Sequence, residues 1–342
     1  MRSPLELVGE DEIARVVAAG WGLAIRELCY FPEGGGAYHW IAAGDGRRWF
    51  VTCDDLDTKP WLGPDRDSVF GGLLAAYGTA MELRASGLPF VVAPTATGAG
   101  APAVRVDERH SLSVFDYTEG EPGRWGQAVE PSARRELVTL LARLHEATPS
   151  APGLPRRDLE LPGRRGFEEA LDDLARPWDG GPLSEAIRHE LAENRGLIVG
   201  WLADLDRYAA RLDEGNGDGR AGAVVTHGEP HPGNLIRTGD GLSLVDWDTV
   251  AVARPERDLW MLVDGDGDLD AAYRDLTGVT LDRDALAAYR LLWALSDVAS
   301  FTVRLRGEHR PNTDANRSLA ALRLILHGRE PAPYGPRPAA GA

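Results

Sequence analysis

The hydrophobic pattern divides the chain into a sheet-rich first third and a mostly helical remainder. Over residues 11–19, Ile13, Val16 and Val17 share one face behind leading acids, which predicts a helix. Segments 25–30 and 37–42 read as strands on either side of Pro32-Glu33-Gly34-Gly35-Gly36. A third strand, Trp49-Phe50-Val51-Thr52-Cys53, follows the turn Gly44-Asp45-Gly46. Residues 68–86 return to helical spacing through Leu73, Tyr77, Ala80, Met81 and Arg84. Phe90-Val91-Val92 and Leu112-Ser113-Val114-Phe115 predict two more strands.

Beyond that point, Leu137, Leu140, Leu141 and Leu144 recur at i, i+3, i+4 and i+7 between Pro131 and Pro149. A loop rich in Pro, Gly and Arg covers 149–166. Helical patterns resume at 167–175 and 183–212, and residues 213–219 read as a flexible linker. Two short strands, Ala223-Val224-Val225-Thr226 and Leu242-Ser243-Leu244-Val245, enclose a loop, and helices are predicted at 256–263, 282–306 and 314–327. The Pro/Ala-rich segment 331–342 predicts a disordered tail. The expected fold is α+β and bilobal, with residues 1–115 as a sheet-rich N-terminal lobe and 116–330 as a helical C-terminal lobe.

Composition narrows the function. No run of apolar residues is long enough to span a membrane, and the N-terminus lacks a signal-peptide pattern. Two cysteines, Cys29 and Cys53, allow neither a disulfide framework nor a four-cysteine zinc site. A cytoplasmic protein is the expectation. The net charge of −16 argues against nucleic acid or an anionic membrane as partner and suits a cationic small molecule. Lys59 is the only lysine, as in proteins of GC-rich genomes, and arginine supplies every other permanent side-chain positive charge.

The candidate chemistry lies in His227-Gly228-Glu229-Pro230-His231-Pro232-Gly233-Asn234, followed after a strand by Asp246-Trp247-Asp248. Phosphoryl transfer needs hard oxygen ligands for Mg²⁺ and a carboxylate that takes the proton of the attacking hydroxyl. Asn234 and Asp246 offer the first, and Glu229 offers the second. Pro230, Pro232 and Gly233 force an irregular loop that lets side chains five apart converge. His231 lies four residues from His227, but Pro230 forbids a helical metal pair and no zinc-type third ligand is evident, so loop packing or substrate contact is the expected role.

At these residues the sequence resembles the aminoglycoside phosphotransferase family of the protein-kinase-like fold, and within it spectinomycin phosphotransferase-like proteins. The family pattern is His-Gly-Asp-x-x-x-x-Asn, a strand, then Asp-Trp-Asp/Glu; here Glu229 stands for its Asp. The resemblance implies that His227 holds the loop, Glu229 is the base, and Asn234 and Asp246 bind Mg²⁺. Pro255-Glu256-Arg257-Asp258-Leu259-Trp260 resembles the segment whose Asp braces the loop, and Leu141-Ala142-Arg143-Leu144-His145 resembles the helix beneath it. The activity implied is O-phosphorylation, from ATP or GTP, of a small hydroxylated, cationic molecule such as an aminoglycoside-type antibiotic.

Two departures bear on that activity. The carboxylate of Glu229 reaches farther than that of Asp by about 1.5 Å, one carbon–carbon bond. The strand position for the kinase lysine falls at Thr52, and the position for its helix acid near Ala76. Three readings stay open: Lys59 reaches the phosphate site, Arg47 or Arg48 serves, or nucleotide binding is weakened or lost. The last would make the chain a pseudokinase or binding module; a nucleotidyltransferase is a further alternative. Gly34, Gly35 and Gly36 occupy the place of a phosphate-covering loop, and Phe115 and Tyr117 that of the adenine-binding hinge. Residues 264–270 imitate a calcium loop but place Leu269 where Gly is required, so a solvated acidic loop is expected. Trp178 and Trp201 are candidate walls of an acceptor pocket.

Overall fold

The computed structural model describes residues 8–148, 154–157, 159–214, 222–263 and 267–329. The predicted tail, most of the linker and Asp264 to Asp266 lie outside the described residues. The fold is kinase-like, with a sheet-rich N-terminal region and a helical C-terminal one.

Helix α1 (Glu10–Trp21) precedes a sheet of β1 (Glu27–Phe31), β2 (Ala37–Gly44) and β3 (Arg47–Asp55). After α2 (Arg66–Ala85) come β4 (Val104–Arg105) and β5 (His110–Asp116), and the antiparallel order is β1-β2-β3-β5-β4. Alternation decides which side chains face which layer. Trp49, Val51 and Cys53 of β3 join Trp40, Leu112, Val114 and the α1 residues Ile13 and Val17 in one core. The intervening residues Phe50, Thr52 and Asp54 therefore take the opposite face, toward the interlobe cleft. Thr52 and Asp54 are buried even so.

The segment after β3 is tightly held. A 3₁₀ turn, Leu56–Thr58, starts at Asp55, whose carboxylate accepts from Asp57 N at 3.1 Å. Arg109 grips the same carboxylate through Nε (2.9 Å) and Nη2 (2.6 Å). Farther on, Gly72 lets the Leu62 carbonyl approach α2 so closely that a Cβ would sit 2.6 Å from its oxygen. Helix α2 then buries Leu73, Tyr77, Ala80 and Leu83 in the core that also contains Leu137, Leu141, Leu144 and Trp247. That core ties the two regions together.

The helical region begins with β6 (Glu121–Pro122) and α3 (Pro131–Glu146), then α4 (Arg164–Asp172), α5 (Ser184–Glu193) and α6 (Arg195–Glu214). Strands β7 (Val224–Thr226), β8 (Leu235–Thr238), β9 (Gly241–Leu244) and β10 (Ala251–Ala253) surround the motif loop. Helices α7 (Glu256–Leu259), α8 (Gly267–Thr277), α9 (Arg283–Arg306) and α10 (Thr313–Leu326) complete the chain. A second core gathers Phe167, Leu171, Ile187, Leu191, Ile198, Leu295 and Leu322.

Four expectations are corrected, and the partners of the strands around the motif are defined. Phe90–Val92 forms only one bridge, Val91 to Leu244, because the segment crosses between regions instead of joining the first sheet. The pattern at 183–212 is two helices, since Asn194 caps α5 through its own side-chain bond to the Glu190 carbonyl. The strands enclosing the motif do not pair with each other: β7 pairs with β10, and β9 with β8. Asp268 and Asp270 lie in the first turn of α8, where acids favour the helix dipole, and not in a loop. Trp178 and Trp201 belong to the second core; Trp178 also lies beneath Arg306, so neither is placed as a pocket wall. Among the described residues no helix is long and apolar enough to cross a membrane.

Candidate active site

The motif loop is shaped from behind. Asp258 accepts from His227 N at 2.9 Å and from Gly228 N at 2.6 Å. It also meets His145 Nε2 at 3.1 Å, and His145 Nδ1 lies 2.8 Å from the Tyr273 hydroxyl. Burial pushes the Asp258 pKa up, but the His145 bond and the charges of His145 and Arg257 outweigh it and hold the carboxyl below its ordinary value. Arg257 donates to Thr226 Oγ1 (2.7 Å) and the Thr249 carbonyl (2.8 Å). Gly228 has φ +98°, and a Cβ there would run into the Arg257 guanidinium. The motif thus needs glycine for both its dihedral and its space.

His227 fixes the bend. Its Nε2 donates to the Val245 carbonyl at 2.9 Å, so Nδ1 is the acceptor for Glu229 N at 3.2 Å. Only the neutral ring makes both bonds, and burial keeps its pKa low. The ring stands edge-on to Trp247 at 4.7 Å. Asn234 Nδ2 donates to the Glu229 carbonyl at 3.0 Å, which closes the loop.

Acidic groups crowd the front of the loop. The Glu229 pKa is raised to about 8 by desolvation first, then by Asp248 and Asp297, while Arg257 and Lys59 pull it down. Asp246 opens to the cleft in a left-handed backbone conformation (φ +67°, ψ +66°), a strain typical of functional sites. Protein mass around it, then Asp248, Glu229 and Asp54, raise its pKa against the pull of Lys59.

The lysine sits at the centre of this cluster. Lys59 Nζ lies 2.5 Å from Asp248 Oδ2 and 3.0 Å from Asp54 Oδ1. Burial opposes its charge, but Asp248, Asp54 and Asp246 more than compensate, so the ammonium titrates above an ordinary lysine. Gly36 lies over it: a Cβ there would be 3.7 Å from Nζ. Gly34 and Gly35 continue the same turn, with Gly34 at φ +85°.

The other predicted groups have partners of their own. Thr52 Oγ1 meets His39 Nδ1 at 3.2 Å, and the His39 ring stacks on Phe50 at 5.0 Å. Ala76 is buried, and its neighbour Tyr77 sends its hydroxyl to Asp54 Oδ2 at 3.4 Å. Phe115 packs edge-on to Tyr77, and Tyr117 N donates to the Arg48 carbonyl at 3.3 Å. Arg47 and Arg48 stand at the start of β3. They are exposed and paired with Asp116 and Glu119, because their end of β3 faces outward. His231 is wedged beside Trp125 (5.0 Å) and Trp293 (6.2 Å), and burial lowers its pKa to about 3.

Sequence reading missed Asp54, Asp248 as the partner of Lys59, Tyr77 and Asp297. Asp54 carried one available signal: two positions beyond Thr52 on a strand, it shares the cleft face. The partnership of Lys59 with Asp248 joins positions 189 apart and left no local trace.

A model of the phosphotransferase enzyme family matches residues 64–325. The chain belongs to that family. It is accordingly a small-molecule phosphotransferase, built on the fold of small-molecule kinases. Protein StrN of Streptomyces griseus is 27% identical over 287 residues, covering 78% of this chain and 79% of StrN. Spectinomycin phosphotransferase APH(9)-Ia, solved with ADP and spectinomycin, superposes with a TM-score of 0.69 at 15% identity, covering 94% of this chain and 98% of that one. Choline kinase LicA from Streptococcus pneumoniae superposes at 0.53 with 13% identity, covering 93% and 99% of the two chains. At such identities the superpositions show a shared fold.

Proposed function

We propose that the protein is a Mg²⁺- and nucleoside-triphosphate-dependent O-phosphotransferase acting on a small hydroxylated, cationic molecule such as an aminoglycoside-type antibiotic. The observation that carries this reading is the Lys59 ammonium, held between Asp54 and Asp248 beneath Gly36 and within electrostatic reach of Asp246 and Glu229. It favours Lys59 over the arginines and over a lost nucleotide site.

The donor set suits Mg²⁺. Among the described residues no three His, Cys, Asp or Glu side chains form a closed metal cage. Mg²⁺ rarely uses one; it takes one or two protein oxygens and completes its shell with water and phosphate. Asp246 offers a carboxylate, and Asn234 offers Oδ1, since its Nδ2 is committed to the loop. Bound there, Mg²⁺ would offset charge on the phosphates.

The residues divide the work. Gly34, Gly35 and Gly36 bring backbone close to the phosphates, Lys59 meets their charge, and Thr52, Phe115 and Tyr117 line the path to the base. Glu229 takes the proton of the acceptor hydroxyl as that oxygen bonds to the γ-phosphorus. The bond from this phosphorus to the β–γ bridging oxygen breaks, and the nucleoside diphosphate leaves. His227 and Asp258 hold the loop in place for this step. The negative surface and Asp297 beside Glu229 support a cationic acceptor. The spectinomycin phosphotransferase solved with ADP and spectinomycin adds weight to both substrates.

The test is mass spectrometry of a panel of aminoglycosides and aminocyclitols incubated with enzyme, Mg²⁺, and ATP or GTP. A phosphate-sized adduct that disappears in Asp246→Ala is expected. A nucleotide-sized adduct would mean nucleotidyl transfer, and no nucleotide binding by calorimetry would overturn the reading.

A further inference from the structure

In kinase folds the phosphate-facing lysine stands on the third strand and pairs with an acid of the following helix. Here α2 presents Ala76 and Tyr77, while the lysine arrives from the connection after β3. We propose that Asp54 is the positioning residue for Lys59, replacing the helix acid, and that Asp248 is the partner that Lys59 gives up in part when a nucleotide binds. This rests on the functional reading above.

Three observations lead to it. The three groups are almost wholly enclosed: Lys59 is 2% exposed, Asp54 0% and Asp248 4%. A cation so enclosed needs a fixed counter-charge. Asp54 is on the rigid sheet, on the cleft face two positions from Thr52, and Tyr77 steadies its other oxygen.

The two contacts also differ in kind. Lys59 makes a short hydrogen bond to Asp248 Oδ2. Its approach to Asp54 Oδ1, at 3.0 Å, is out of line for one, and that oxygen has no hydrogen-bond partner. An ammonium has three donors. Pivoting about Asp54 would direct a donor at a phosphate without releasing the charge pair.

The backbone beneath is fixed. Asp55 caps the turn and is gripped by Arg109, Leu62 N donates to the Lys59 carbonyl at 3.0 Å, and Gly72 seats the Leu62 carbonyl. Reorientation therefore falls to the side chain. Lysine suits this better than arginine, because its ammonium is a compact point charge on a flexible stem.

The sole lysine provides the test. Protein labelled with ε-¹⁵N lysine gives one side-chain ammonium resonance, and it is titrated with a non-hydrolysable ATP analogue and Mg²⁺. Nucleotide affinity is measured by calorimetry for wild type, Asp54→Asn, Lys59→Ala and the double variant. The resonance is expected to move on binding. Each single variant should weaken binding by at least about tenfold, the loss of one charge-assisted contact. The double variant should be no weaker than Lys59→Ala, since the two residues act as one unit.

Wild-type affinity in Asp54→Asn, or additive losses in the double variant, would overturn the inference while leaving the functional reading intact. If Asp54→Asn does not fold, the wild-type titration decides: a resonance unmoved at saturation overturns it. No nucleotide binding by the wild type would overturn both.

Discussion

Asp258 accepts both backbone N–H groups of His227 and Gly228, at 2.9 and 2.6 Å, from a fully buried position. One carboxylate thus sets the entry of the motif loop. Asp258→Ala strands two buried donors, at about 1–3 kcal/mol each. We expect about 3 kcal/mol lost in chemical denaturation and a fall in kcat of about 10²-fold, through misplacement of Glu229.

The same residue gives stability an acid limit. Its folded pKa lies below the ordinary value, which is about 3.9 for Asp. Its contribution is therefore complete above that value and disappears as pH falls through the folded pKa. Denaturation between pH 7 and pH 3 should show the loss in wild type, and less of it in Asp258→Ala.

Glu229 must be ionised to accept a proton, and its pKa in the free protein is raised to about 8. The kcat/KM profile for the acceptor should therefore rise with pH toward that value, with a cation in the site shifting the limb downward. Asp297→Asn removes one of the charges that raise it and should move the limb to lower pH. Glu229→Gln should cost about 10²–10⁴-fold in kcat.

Asp246 is held where its own charge is unwelcome, in a left-handed backbone and among other carboxylates. Asp246→Asn keeps the shape and removes the charge. We expect the nucleotide-free protein to gain a little stability at most, because Asp246 is solvent-exposed and water screens the repulsion of its neighbours. Phosphotransfer should fall to background. Thermal melts and the adduct assay, run on the same preparation, check both halves.

His231 tests the distinction between packing and metal binding. Its Nδ1 has no hydrogen-bond partner, and its ring is enclosed by Trp125 and Trp293. Replacing an unsatisfied polar group with an apolar one of similar shape costs little. His231→Phe should keep stability within about 1 kcal/mol and leave the Mg²⁺ dependence unchanged.

Much of the site was legible because its motif is local. Residues 227–234 lie on one loop, and Asp246 follows one hairpin later. Periodicity likewise gave the helices, since burial on one face is a property of neighbours in sequence. It failed where tertiary contacts decide. Helical spacing runs through Asn194 without showing the break, and Val91 looks like any strand residue until Leu244 is beside it. The lysine was the hardest case. Thr52 and Ala76 read as the joint loss of an ion pair, whereas Lys59 and Asp54 supply the charges from positions five apart. Only the turn at 56–58 brings them together, and a 3₁₀ turn this short has no periodicity to read.

The carboxyl groups of Glu229, Asp246, Asp248 and Asp54 gather around a single ammonium. Under the proposed function this surplus of acid would set the order of arrival. A bare polyphosphate meets its own sign at the floor of the cleft, whereas one already escorted by a divalent cation brings the missing charge with it. On that reading the cleft would admit its nucleotide as a salt.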